Sequence, residues 1–143
     1  MTTWTNRGKL RLADGTFDAD NLELAILTTT PSDATARDWN DDGDITSEMT
    51  TGQVSNYARQ DMGTATIAED DASDEVTIDY ADTAFGSLVA PTPGTIDGTA
   101  LCAIDKTSSE VMWVQALTAA AKTNGAAYTI VWPSDGAAYI DDV

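Results

Sequence analysis

A short acidic stretch near residue 40 has the residue types and the spacing that a hard cation requires. Oxygen-bearing side chains alternate along it at Asp38, Asn40, Asp42 and Asp44, and Gly43 lies where the chain must turn sharply. Calcium binds carboxylate and carbonyl oxygens in flexible cages. The four side chains are therefore candidate calcium ligands.

The spacing resembles the calcium-binding loop of EF-hands, with an apolar Ile45 after the glycine. The match is imperfect, because the bidentate glutamate of such loops would fall at Met49, whereas Glu48 lies one residue early. A looser calcium site and an acidic turn whose side chains bind their own backbone both fit the segment. We therefore expect either no cofactor or calcium at this loop.

Other catalytic chemistry finds little support in the sequence. The chain contains no histidine, which excludes Ser-His-Asp and Cys-His nucleophile systems and zinc sites that use histidine. Cys102 is the only cysteine, so it forms no intramolecular disulfide, and its apolar neighbours predict a core position. Neither a GxGxxG nor a Gly-Lys-Ser/Thr phosphate loop occurs. Carboxylate pairs, which glycosidases use as acid and base, are numerous, but a solvated acidic surface is the simpler interpretation of them. We therefore expect no enzymatic activity.

The charge balance limits the classes of partner. The 143 residues include 24 Asp and Glu against 7 Lys and Arg, for a net charge of −17. Such a surface repels phosphate backbones and anionic headgroups, so nucleic acid and membranes are not expected partners. No apolar stretch approaches the ~18 residues of a membrane span, and the opening residues lack the apolar core of an export signal. We expect synthesis in the cytosol.

Two tryptophans and an early basic cluster are candidate contact residues. Trp4 and Trp39 lie outside the predicted strands, and exposed tryptophans are effective interface anchors. The segment 1–13 includes three of the seven basic residues, Arg7, Lys9 and Arg11. We expect this segment either to anchor the protein to a neighbour through these residues or to be a frayed terminus. For both tryptophans the alternative is burial at the edge of the domain.

Short runs rich in Val, Ile, Thr, Tyr and Trp between turn residues predict a β protein. The residues form a single domain, 1–143, and we expect an all-β, two-sheet, jelly-roll-like sandwich of about eight strands. The segment 29–55 is the least strand-like and is expected to leave the sandwich. Residues 6–13 and 115–121 are helical alternatives, the second less favoured. The predicted strands are residues 22–28, 57–62, 64–68, 75–80, 95–104, 111–117, 128–132 and 137–140.

Alternation along these strands predicts which side chains are buried. The strand at 111–117 is apolar on both faces, so it is either central in the sandwich or covered by a partner subunit. The expected core residues are Leu24, Ile26, Ile78, Leu101, Trp113, Tyr128 and Trp132.

The order of these features resembles a family of small virion proteins of tailed bacteriophages, the capsid decoration or cement proteins. The resemblance spans nearly the whole chain and is one of layout. Its parts are Asn6-Arg7-Gly8-Lys9, the strand at 22–28, the Ser47-Glu48 step, residues 56–60, the acidic turn and strand at 69–80, residues 96–101 and 111–117, and the Asn124-Gly125 hairpin into 128–132.

The resemblance implies a β-sandwich that binds the outer surface of a phage capsid and stabilises it across capsomer boundaries. The implied partners are the major capsid protein and further copies of the chain, as a homodimer or homotrimer. The implied location is the capsid surface of the virion, after assembly in the host cytoplasm. The alternatives are a tail- or fibre-associated virion adaptor and a calcium-binding, lectin-like jelly roll.

Overall fold

The protein is an all-β, sandwich-like structure with two short α-helices. The computed structural model describes residues 2–70, 75–89, 95–96, 98–117, 122–123, 127–132 and 138–140. The helices are α1 (Asn6–Ala13) and α2 (Asp33–Asp38), and short 3₁₀ turns lie at Ala19–Asn21 and Asp42–Asp44. The strands are β1 (Thr2–Trp4), β2 (Leu22–Leu27), β3 (Gln60–Asp61), β4 (Thr66–Asp70), β5 (Glu75–Asp79), β6 (Thr83–Ser87), β7 (Thr95–Ile96), β8 (Ala100–Asp105), β9 (Val111–Ala116), β10 (Lys122–Thr123), β11 (Ala127–Ile130) and β12 (Ala138–Ile140).

A five-stranded sheet organises the structure. Its strand order is β1-β9-β8-β2-β3, and every pair is antiparallel. Within the described residues, the other strands form three smaller sheets, β12-β5-β4, β11-β6 and β10-β7. In the part of the chain that the structure describes, the second layer thus consists of small separate sheets, whereas the sequence suggested one continuous second sheet.

The five-stranded sheet is buried on both faces. On one face, Leu24, Ile26 and Trp113 pack with Ile78 of β5 and with Trp132, which follows β11. On the other face, a second cluster joins strand residues to residues of the segment 29–55. Its members are Ala25, Leu27, Ala36, Trp39, Ala100, Cys102, Ile104, Val111 and Val114, with Ile45 partly buried against them.

The segment 29–55 leaves the strands of the sandwich, as expected, and forms α2 and a 3₁₀ turn, but it packs back onto the sheet and covers this face. Ser32 caps α2 by accepting the N–H of Thr35 at 3.2 Å, and Ala36 and Trp39 face the sheet. This cover explains the doubly apolar strand β9, which is buried within its own chain without a partner subunit.

A β-bulge at Met112 sets the faces of β9. Val111 pairs with Ile104, and Trp113 pairs with Ala103, so Met112 is the extra residue. As a result Met112 and Trp113 both pack in the first cluster, while Val111 and Val114 pack in the second. Strict alternation of side chains would put Val111 and Trp113 on the same face of β9. The bulge puts them on opposite faces.

Most predicted strands are present with altered ends. The predicted strands at 22–28 and 111–117 correspond to β2 and β9. Of the predicted strand at 57–62 only β3 is present, and the predicted strand at 95–104 is two strands, β7 and β8. The helical alternative at residues 6–13 is confirmed as α1. Sequence patterns missed β1, β6, β10 and α2.

All seven expected core residues are buried. Some predicted features lie outside the described residues: residue 97 within the strand at 95–104, the hairpin turn at 124–125, residues 118–121, and residue 137 at the start of a strand.

Candidate interaction surface

The N-terminal segment is an integral part of the fold. Trp4 pairs with Trp113 in the sheet, is 8% exposed, and meets Phe17 edge to face at 5.5 Å between ring centroids. Thr5 caps α1, because its hydroxyl accepts the N–H of Gly8 at 2.8 Å. Residues 2–13 are therefore not a frayed terminus.

Two of the three early basic residues are paired within the chain. Arg7 Nε lies 3.2 Å from Glu110, and Arg11 lies 2.8 Å from Glu110 and 3.7 Å from Asp105. Lys9 is exposed and makes no ion pair with the described residues. Because Trp4 is buried and both arginines are neutralised internally, Lys9 is the one predicted anchor residue of this segment that faces outward.

Asp105 is a buried carboxylate that organises the turn between β8 and β9. Its Oδ1 accepts the N–H groups of Thr107 and Ser108, each at 2.8 Å. Burial alone would raise the pKa of Asp105, but these hydrogen bonds and the nearby Arg11 lower it below its ordinary value. The charged form of Asp105 is therefore the one that stabilises the fold.

The acidic loop uses its side chains on its own backbone and on Arg59. Asp44 Oδ2 accepts the N–H groups of Asn40 at 2.7 Å and Asp41 at 3.4 Å, and Asp41 Oδ1 accepts that of Gly43 at 2.9 Å. Asp41 and Asp44 thereby form a capping box. Asn40 donates to the Asp38 carbonyl at 3.2 Å, and Asp42 pairs with Arg59 at 3.1 Å. Trp39 is 6% exposed, which removes it as a surface anchor.

The loop therefore has the acidic-turn geometry that the sequence allowed as an alternative to a calcium cage. Among the described residues, no group of three or more His, Cys, Asp or Glu side chains is arranged to hold a metal ion. Calcium binding by Asp38, Asn40, Asp42 and Asp44 stays a prediction.

Arg59 is a hub that the sequence analysis missed. Its guanidinium binds Glu48 through two hydrogen bonds, at 2.8 and 2.9 Å, and also reaches Glu23 at 2.8 Å and Asp42 at 3.1 Å. Hydrogen bonding to Glu48 is the largest cause that raises the pKa of Arg59 above its ordinary value. Tyr57 completes the group, since its hydroxyl donates to Glu48 and accepts the N–H of Ile26, each at 3.0 Å.

One signal could have revealed this hub. Arg59 is the only Lys or Arg between residues 38 and 105. A single cation in so acidic a segment has several carboxylates within reach. Because a guanidinium is planar and has five N–H donors, it can bind more than one of them at once.

The two predicted contact segments lie side by side. Asn6 Nδ2 is 3.5 Å from Asp38, and Thr3 donates to Asp33 at 2.8 Å. The loop is also fastened to the start of β9, because the N–H of Val111 donates to the Asn40 carbonyl at 3.1 Å. The structure therefore brings the N-terminal segment and the acidic loop together at one corner of the five-stranded sheet.

The outer surface is acidic with isolated apolar side chains. Among the cations whose side chains the structure describes, Lys9 and Arg37 lack an ion pair, whereas Lys106 binds Asp61 at 2.8 Å. The large apolar side chains exposed in the described part of the chain are Leu10, Ile67, Val89 and Val131. These four are the apolar positions from which a partner could gain contact area.

Comparison with known proteins adds no relative to this picture. No family model matches the chain, and neither the curated proteins nor the solved structures contain a match. No helix in the described part of the chain is long and apolar enough to span a membrane.

Proposed function

We propose that this protein is a structural virion component that binds the outer surface of a bacteriophage capsid. It contacts the major capsid protein and stabilises the shell across capsomer boundaries as a cement protein. The observation that carries the proposal is the fold class. The resemblance to capsid decoration proteins implies a β-sandwich, and the chain is all-β and sandwich-like.

A rigid scaffold suits this role. The five-stranded sheet is covered on both faces within one chain, and Arg59 fastens the covering segment to Glu23 on β2. Many copies, each making a modest contact across a boundary, raise the stability of an assembly through mass action and multivalency. Such a protein needs no catalytic group.

The surface charge supports a basic partner. Arg7, Arg11, Arg59 and Lys106 are each neutralised by carboxylates of the same chain, which leaves an excess of unpaired acidic groups outside. Attraction between such a surface and a basic patch on a shell is weakened by salt, because the Debye length falls from about 10 Å at 0.1 M to about 3 Å at 1 M.

Cosedimentation with undecorated phage heads tests the proposal. We expect the purified protein to pellet with heads to a saturating, symmetry-related number of copies, and bound copies to decrease as salt rises. Isolated tails of the same phage serve as the matched control surface. Absence of binding to heads at saturating protein, or binding to tails alone, contradicts the proposal, and the second result would favour a tail adaptor.

A further inference from the structure

We propose that the free edge of β4 is a docking site for a basic, extended segment of a partner chain, which adds to the sheet as a further strand. The claim that this edge attaches the protein to a shell rests on the proposed function. The claim that the edge binds an added strand does not, and a peptide alone tests it.

The first observation is the position of β4 in its sheet. The strand order β12-β5-β4 leaves β4 at the edge, and no strand among the described residues pairs with its outer side. An edge strand presents outward N–H and C=O groups that can pair with another chain. Among the described strands, the edge strand β1 differs, because α2 packs beside it and Thr3 binds Asp33 of that helix.

The second observation is that β4 extends beyond the core. Ile67 lies directly opposite Ile78 in the antiparallel pair, so the two side chains share a face of the sheet. Ile78 is 2% exposed, whereas Ile67 is 60% exposed. The described side chains from Thr66 to Glu69 are all exposed. The apolar face therefore continues past the core onto an uncovered strand.

The third observation is the charge around the strand, which selects the occupant. The strand β4 and its partner β5 contain four Asp and Glu and no Lys or Arg. Glu69 lies on β4 itself, and Asp79 is opposite Thr66. Pairing of β4 with the same strand of a second copy would bring like charges together, which is destabilising. A segment that carries Lys or Arg beside apolar residues complements both the charge and Ile67.

Main-chain hydrogen bonds supply the binding in such strand addition, and alternate side chains supply the selectivity. One face of the added strand would cover Ile67. Its basic side chains would lie on the opposite face, where the register pairs Thr66 with Asp79 and Asp70 with Glu75. The acidic residues thus have two effects: they disfavour edge-to-edge pairing between copies and they favour a basic strand.

A peptide titration of the intact protein tests this inference. The probe is a short capped peptide that alternates Lys and Val, with binding followed by amide chemical shifts. Two control peptides separate the contributions of charge and of strand pairing to binding. A Glu-Val peptide reverses the charge. A Lys-Val peptide methylated on alternate backbone nitrogens retains the charge but cannot form the backbone hydrogen bonds of strand pairing. We expect only the unmodified Lys-Val peptide to bind, with the largest shifts on β4.

Two protein variants locate the site. Ile67→Lys removes the apolar contact and repels the peptide, so we expect its affinity to fall about tenfold. Val131→Lys is the control, because it also replaces an exposed aliphatic side chain with lysine. Val131 is 71% exposed and follows β11, which belongs to another sheet. We expect this variant to bind the peptide with an affinity within about twofold of the parent. Circular dichroism confirms that both variants are folded.

Three results would overturn the inference: no binding of the Lys-Val peptide, equal binding of the methylated peptide, or equal losses in the two variants. The same variants then go into the head-binding assay. Selective peptide binding at β4 with no binding of any form to heads supports strand addition and contradicts the capsid proposal, so the two failures are distinguishable.

Discussion

The backbone carbonyl of Met112 accepts the backbone N–H of Thr5 at 3.1 Å, which joins the N-cap of α1 to the β-bulge of β9. The Thr5 hydroxyl also lies 3.1 Å from this carbonyl and 2.5 Å from that of Val111, and Thr5 is fully buried. The N-terminal segment is thereby fixed to β9, the strand next to the edge strand β1.

The close approach of α1 to this bulge predicts that Gly8→Ala is destabilising. A Cβ at Gly8 would overlap the Met112 carbonyl, which is backbone and cannot rotate away. Alanine favours a helix by about 0.5–1 kcal/mol, but overpacking of this kind costs about 1–3 kcal/mol or more, so we expect a net loss in the free energy of unfolding. Urea denaturation measures it.

Lys9→Ala is the matched control, since Lys9 is the exposed neighbour on the same helix. We expect its free energy of unfolding to change by less than about 0.5 kcal/mol. A Gly8→Ala protein as stable as the parent would contradict the docking of α1 against the bulge.

The Arg59 hub predicts a local effect on the covering segment. Arg59→Met leaves Glu23, Asp42 and Glu48 close together without their cation, and we expect a loss of about 1–3 kcal/mol after allowance for partial exposure. Arg59→Lys should restore little, because an ammonium cannot reproduce the two-point bond to Glu48. Amide hydrogen exchange of residues 41–49 should accelerate in both variants.

Arg37→Met is the control for this prediction. Arg37 is exposed and makes no ion pair with the described residues. Its removal should leave both stability and exchange unchanged. Equal behaviour of the Arg59 and Arg37 variants would show that the hub contributes nothing.

Asp105 predicts a specific pH dependence of stability. Its pKa is lower in the folded chain than the ordinary unfolded value of about 3.9, so its contribution is complete above that value. The contribution is lost as the pH falls through the lower, folded pKa. We expect the stability of the parent protein to decrease steeply below about pH 4.

Asp105→Asn retains an acceptor for the turn but removes the charge. This variant should be less stable at neutral pH and should show a shallower decrease in acid, whereas Glu69→Gln, a change at an exposed carboxylate, should retain the slope of the parent. Parallel acid profiles for Asp105→Asn and the parent would refute this role.

The buried thiol of Cys102 predicts the rate of its modification. The side chain is fully buried, and burial raises the pKa of the thiol, so very little thiolate is available in the native state. A thiol reagent such as dithionitrobenzoate should therefore react only as fast as the protein unfolds, and at once in denaturant. Rapid reaction of the native protein would place Cys102 outside the core.

Side-chain periodicity predicted the β class and the core because these depend on local alternation. Leu24 and Ile78 alternate with more polar or smaller neighbours, and each is buried as expected. The bulge at Met112 could not be predicted in this way, because one extra residue changes the faces without changing the composition. The strand β6 escaped notice because Gly86, with φ +69°, interrupts its pattern.

The candidate contact residues were the least predictable part. Trp4 and Trp39 are buried by contacts distant in sequence, with β9 and with the second cluster, which no local pattern contains. Arg7 and Arg11 formed a visible basic cluster, but Glu110, which pairs with both, is about a hundred residues away. The sequence therefore identified two segments that lie together in the fold, but it did not predict that most of their side chains pack or pair within the chain.

The most direct test of the central claim is an electron cryomicroscopy reconstruction of undecorated phage heads mixed with saturating protein. We predict additional density on the outer surface, sized for this β-sandwich, that contacts two neighbouring capsomers and occurs at every equivalent boundary. A reconstruction in which the outer surface matches that of heads without the protein would contradict the account.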